Sequence, residues 1–227
     1  MDNRRLVNIL SILLFVTILC FTVQTFAQNA SKNNRAALIE SALAKEGLTM
    51  EDSNAIVSYY YQNPQPDKLV SVVKAVLSQD ELISDPSHFG PLTHFIATVA
   101  HSNQGFLNNL KNIKLGYAGI QKDAIEQMIS EAENFNSPLP NSPKDLDYLW
   151  AEFNATGNSE PVKKIISVLG YLPHGSENLL LIGVAEWSLG ANARQHKKVY
   201  EIIQKESISA TGTLKDKLDN ILKTVPK

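Results

Sequence analysis

Cysteine is almost missing from this sequence: the single thiol, Cys20, sits in an apolar run near the N-terminus, so no intrachain disulfide is available. A fold without disulfides in an oxidising compartment rests on its hydrophobic core alone. Charge of one sign is also scarce, with a formal net charge of −2. That balance leaves no basic stripe and argues against nucleic acid or an anionic membrane surface as a partner. Glycine and proline are too few and too scattered for a collagenous or low-complexity chain, and 44% hydrophobic residues are too many for a disordered one. Signatures of local chemistry are missing as well. There is no glycine-rich phosphate loop before a lysine, no His-Glu-x-x-His, no Gly-x-Ser-x-Gly and no cysteine cluster. No cofactor, metal, cofactor-binding or catalytic residue is therefore assigned from the sequence, and the reading leans away from an enzyme, although carboxylate pairs need no local motif.

The one long hydrophobic run is confined to the beginning. Arg4 and Arg5 precede the apolar segment Leu6 to Phe21, and Thr25-Phe26-Ala27 follows as a small-x-small exit. This arrangement predicts a signal peptide over residues 1–27, a flexible mature start over 28–33, and export to the periplasm or beyond. The alternative is retention as an inner-membrane anchor through residues 6–23, since the run is long for a signal. Twin-arginine export is disfavoured by Leu6-Val7-Asn8, and lipidation of Cys20 by Leu19 where a small residue is wanted. Cleavage removes Cys20 with the leader and leaves a small acidic excess, with no stable membrane insertion.

What is present after Asn34 is helical periodicity. Apolar residues recur at i, i+3, i+4 and i+7 in Leu69, Val72, Val73, Val76, Leu77; in Leu92, Phe95, Ile96, Val99; and in Ile125, Met128, Ile129, Ala132. The pattern continues through Leu146, Leu149, Trp150, Phe153; Val162, Ile165, Ile166, Leu169; and Leu214, Leu218, Ile221, Leu222, Val225. Ser142-Pro143-Lys144-Asp145 reads as N-cap, N1 and N3 of a helix, and Gly47, Gly157 and Gly170 follow helix ends. Ser176 and Glu177 open a helix whose Leu179 to Ala185 run is apolar enough to predict a central position. These signals predict an all-α domain over 34–227, with a subdivision point at the proline-rich 135–143 segment.

A spacing recurs between helices. Trp150 is followed twelve residues on by Val162, with Ile165 and Ile166; Trp187 is followed twelve on by Val199, with Ile202 and Ile203. Val57 with Leu69, and Phe95 with Leu107, fit the same frame. An apolar residue near one helix end, a short polar corner and an apolar stripe in the next helix describe an αα-hairpin. Degenerate hairpins stacked as a short α-solenoid or compact helical array follow, with Trp150 and Trp187 as equivalent core residues.

Two segments carry a resemblance. Asp147-Tyr148-Leu149-Trp150-Ala151-Glu152-Phe153-Asn154-Ala155-Thr156-Gly157 and Glu186-Trp187-Ser188-Leu189-Gly190-Ala191-Asn192-Ala193-Arg194-Gln195-His196 resemble an uncharacterised family of exported bacterial α-helical proteins, with degenerate tetratricopeptide or HEAT-like character. The resemblance covers roughly the C-terminal half and implies no activity.

The remaining polar candidates read as structural. His94 and His101 share a helix face opposite Leu92, Phe95, Ile96 and Val99, but seven residues separate them by about 10 Å, too far for one metal ion. They are expected to be solvated or to line a groove. Asp145 and Asp147 fall in a first helical turn and read as dipole-complementing acids. His196, Lys197 and Lys198 read as a solvated face, and the Tyr59-Tyr60-Tyr61 run as rings packed in a hairpin with their hydroxyls outward. Three functions remain in view: an exported scaffold binding a protein or peptide in the cell envelope, a hydrolase or small-ligand protein with a site in an inter-helical cleft, and a purely structural envelope protein, for which retention of the apolar segment would count.

Overall fold

The computed structural model describes residues 37–84, 86–172 and 175–226. Residues 1–27, 28–33 and His174 lie outside them, as does the side chain of His88. Among the described residues there are twelve helices and no strand, so the fold is all-α. Among the same residues, no helix is long and apolar enough to cross a membrane.

The chain divides into two compact units, with the boundary between Phe135 and Asn136. The first contains α1 (37–45), α2 (Met50–Ser58), α3 (Pro66–Leu77), α4 (Asp80–Ile83), α5 (Pro86–Ser102), α6 (Gln104–Lys114) and α7 (Gly119–Glu133). The second contains α8 (Pro143–Thr156), α9 (Ser159–Val168), α10 (Gly175–Gln195), α11 (Lys197–Ser209) and α12 (Gly212–Thr224).

Local chemistry explains where helices begin. Thr49 opens α2 with a capping box: its hydroxyl accepts from the Asp52 amide at 3.0 Å, and the Asp52 carboxylate accepts from the Thr49 amide at 2.9 Å. The Thr49 hydroxyl, which also donates to the Asp52 carboxylate at 2.6 Å, and after it the Thr49 amide hold the Asp52 carboxyl below the usual range. Asn103 caps α6 through the Phe106 amide at 2.9 Å. Ser142 caps α8 with Pro143 at N1, while Asp145 accepts from the Ser142 hydroxyl at 2.8 Å and the Asn141 amide at 3.1 Å. Gly157 ends α8 at φ 65°, a left-handed geometry that a side chain would strain.

In the first unit the core is built from Leu69, Val72, Val73 and Leu77 of α3, Phe95, Ile96 and Val99 of α5, Leu110 of α6, and Ile125 and Met128 of α7. The helix α5 packs on α4, α6 and α7, so its stripe and the face opposite are both covered. In the second unit each helix packs on the next and on the next but one: α8 on α9 and α10, α9 on α10 and α11, α10 on α11 and α12, and α11 on α12. Leu149, Phe153, Val162, Ile165, Leu189, Val199, Ile203 and Leu218 are fully enclosed there. The 3.6-residue period thus marks true helix faces on α3, α7, α8 and α9.

On α10 the expectation of a central helix fails in part. Leu181, Ile182, Ala185, Ser188, Leu189 and Asn192 form its buried face, and the polar pair is satisfied by the helix's own carbonyls. Leu179 and Leu180 are 57% and 61% exposed. A run apolar on all sides does not say which side is covered, and here only one is.

Candidate functional site

In the first unit His94 and His101 do share a face of α5, but not a solvated one throughout. The helix α7 lies against it, and His94 is buried with its Nδ1 paired to the Glu131 carboxylate. His101 stays exposed and donates Nδ1–H to the Ala132 carbonyl at 3.0 Å, in the last turn of α7 where carbonyls lack helical partners. Phe135 stacks on both imidazoles, at 5.5 Å from His94 and 4.9 Å from His101. The two rings sit on one aromatic platform, each with a hydrogen-bond partner on α7. Tyr60 differs from expectation too. Its ring meets Phe95 edge-on at 5.8 Å, and its hydroxyl is buried with no hydrogen-bond partner among the described residues.

In the second unit three polar features stand out. Ser137 donates to Glu152 at 2.6 Å and accepts from Lys164 Nζ at 2.6 Å, while the same ammonium reaches the Pro138 carbonyl at 3.1 Å. The hydroxyl thereby ties the irregular segment after Phe135 to α8 and α9. Asp145 caps α8 as the sequence implies, but Asp147 does not share that role: burial pushes its carboxyl up to about 7. A carboxyl with that pKa has the proton affinity of a general acid or base near neutrality. His196, expected on a solvated face, is 1% exposed; it stands before α11 and meets Phe153 edge-on at 5.6 Å. Burial pushes its imidazole down to about 4.

The two tryptophans part company. Trp150 is 4% exposed, edge-on to Phe153 at 6.0 Å, with its indole N–H lacking a partner among the described residues. Trp187 is 46% exposed. At 100° per residue it lies about 150° from the centre of the buried face of α10, which is why equal sequence spacing did not give equal burial.

Around Trp187 an open groove of about 380 Å³ runs between α10 and α12. Gly183, Gly190 and Trp187 contribute from α10, Ile221 and Thr224 from α12, and Arg194 stands at one end. Gly190 is its buried floor: a Cβ there would lie 3.7 Å from the Arg194 guanidinium and 3.9 Å from Ile221. At Gly183 a Cβ would meet nothing within 4 Å. The wall formed by α12 is fixed from behind. Lys217 donates to the Leu169 carbonyl at 3.1 Å, and Ser207 on α11 donates to Asp219 at 2.5 Å. Chemically the groove offers an aromatic face, a bare backbone floor, the Arg194 guanidinium, the Glu186 carboxylate and the Asn220 amide.

The sequence did not mark this groove. Its signal, in retrospect, is the pair of glycines at i−4 and i+3 from Trp187 with polar Ser188 and Asn192 on the other side of the helix. Among the described residues, no three His, Cys, Asp or Glu side chains gather as metal ligands would. No protein-family model matches the chain, and neither a curated protein nor a solved structure is found to be similar to it.

Proposed function

We propose that this protein is an exported helical scaffold that binds another protein through the exposed face of α10 and the groove beside α12. The observation that carries this reading is Trp187: a large aromatic left 46% exposed, on the same helix as Leu179 and Leu180 at 57% and 61%. Aromatic side chains that cluster with aliphatic ones in a groove are the usual anchors of protein interfaces. The n to n+1 and n+2 packing of the second unit supports stacked hairpins, an architecture that presents surfaces of this kind. Export is proposed from the sequence of residues 1–27, with a partner in the cell envelope.

The test is a photoreactive amino acid placed at Trp187 in the producing cell, with Ile208, 81% exposed on α11, as the control position. A discrete adduct from 187 that is absent from 208 is the expected result. Equal labelling at both positions, or none at 187, removes the docking reading. Fractionation of the same cells, with the mass of the recovered chain, tests export and cleavage after Ala27.

A further inference from the structure

We infer that the partner met by the α10 face is a second copy of this chain, paired antiparallel across a two-fold axis. The inference rests on the reading of that face as a docking surface and goes further by naming what docks.

Leu180, Gly183, Trp187, Gly190 and Arg194 are separated by three or four residues in turn, so they fall within an arc of about 80° on one side of α10. The order along the stripe is large, small, large, small, then a cation. That order is its own complement when reversed. With the axis level with Ala185, Leu180 comes opposite the partner's Gly190, and Trp187 comes opposite the partner's Gly183. Symmetry repeats both contacts, so each of the two large side chains finds a residue without one.

The surroundings agree with that register. Gly183 is exposed with open space above it, room for the indole that the register brings there. Gly190 floors the groove walled by Ile221, Thr224 and Arg194, and the volume of about 380 Å³ readily admits a leucine side chain. Opposite charges are level at both ends, whereas the two Glu186 carboxylates, each lining its own groove, fall within about 3 Å of one another along the helix beside the axis, a like-charge approach that weakens the pairing. Arg194 lies within one residue, about 1.5 Å along the axis, of the level of the partner's Glu177, and both residues are exposed. Leu172 extends the apolar surface at the N-terminal end of the stripe, since Asn178 donates to its carbonyl at 3.4 Å and it is 67% exposed. One helix stripe is smaller than the roughly 800 Å² per partner of a standard stable complex, so the pairing is concentration-dependent rather than obligate.

Sedimentation velocity of the full chain, purified as the cell leaves it, is the experiment, run from low micromolar to high micromolar concentration. The expected result is a sedimenting mass that doubles across the range. Gly183→Trp and Trp187→Gly, each alone, abolish the doubling, while far-ultraviolet spectra confirm that both remain folded. The double variant Gly183→Trp with Trp187→Gly exchanges the knob and the hole on each copy and restores the doubling, which a merely structural or generally sticky role would not do. A single monomer mass throughout, or doubling that survives Gly183→Trp, overturns the inference. If the chain stays monomeric while the adduct formed at Trp187 contains a different protein, self-pairing fails and the docking reading stands. If it stays monomeric, yields no adduct and floats with phosphatidylcholine vesicles, both fail in favour of a lipid surface.

Discussion

Trp150 and Trp187 stand in matching places in the sequence, each twelve residues ahead of a valine that is fully buried, yet one is enclosed and the other open. Around Trp150 the second unit holds Phe153, with His196 against the same ring, and Asp147 lies one helical turn before it; burial perturbs both titratable groups. Around Trp187 it holds two glycines, Glu186 and Arg194, beside solvent. The difference teaches that a repeated separation fixes the lengths of helix and corner but not the azimuth of a residue about its helix. Burial is decided by azimuth.

The largest expected effect is on stability. Trp150→Ala empties a packed site and costs ~3 to 5 kcal/mol, whereas Trp187→Ala stays within about 0.5 kcal/mol of the parent, both read from urea midpoints. Trp150→Phe should cost far less than the alanine variant, because it fills most of the site and removes a buried N–H that has no partner among the described residues. Equal losses at 150 and 187 would break the comparison.

The next effect is on the pH dependence of the enclosed region. His196 has a folded pKa of about 4 against an ordinary 6.5, so its neutral form stabilises the fold above pH 6.5. That contribution, on the order of 3 kcal/mol, declines as pH falls from 6.5 towards 4. Asp147 runs the other way. Its folded pKa of about 7 against 3.8 makes it stabilising below pH 3.8, and that contribution is lost as pH rises towards 7. Between about pH 4 and 6.5 the two slopes oppose each other. Taken as difference curves against the parent, Asp147→Asn should therefore gain stability most at the neutral end, and His196→Gln should gain most at the acid end relative to its own value at pH 7. Urea midpoints collected at half-unit intervals from pH 4 to 7.5 read both, and a flat difference curve for either variant counts against its burial.

A smaller effect sharpens the boundary of the enclosed region. Ser137→Ala removes the hydroxyl shared by Glu152 and Lys164 and should cost about 1 kcal/mol in the same urea assay. An unchanged midpoint would mean that Lys164 meets Glu152 without it. The mildest test needs no loss of stability at all. With Trp150→Phe the remaining Trp187 should emit at longer wavelength and be readily quenched by acrylamide, while with Trp187→Phe the remaining Trp150 should be blue-shifted and shielded.

Helix content, the cap at Ser142, and the covered faces of α3, α7, α8 and α9 were legible because they depend on residues within one or two turns. His94 was not, because the Glu131 carboxylate that pairs with it and the helix that covers it come 37 residues later. Asp147 was misread for a related reason. An acid in a first turn complements the dipole whether or not a neighbour strips its water, and only packing reveals that. The Trp187 groove was hidden by the Leu179 to Ala185 run, apolar on all sides of α10, leaving the flanking glycines and the polar Ser188 and Asn192 opposite them as the local clues.

Phe135 offers a consequence of another kind. Its ring lies within 22° and 24° of parallel to the imidazoles of His94 and His101, so the carbon-bound protons of both histidines sit over the face of an aromatic current. Their proton resonances should be displaced upfield from those of a free histidine. In a chain with five histidines, these two shifted pairs of lines would report the integrity of the first unit in an unlabelled sample, and would move to ordinary positions as soon as Phe135 leaves its place.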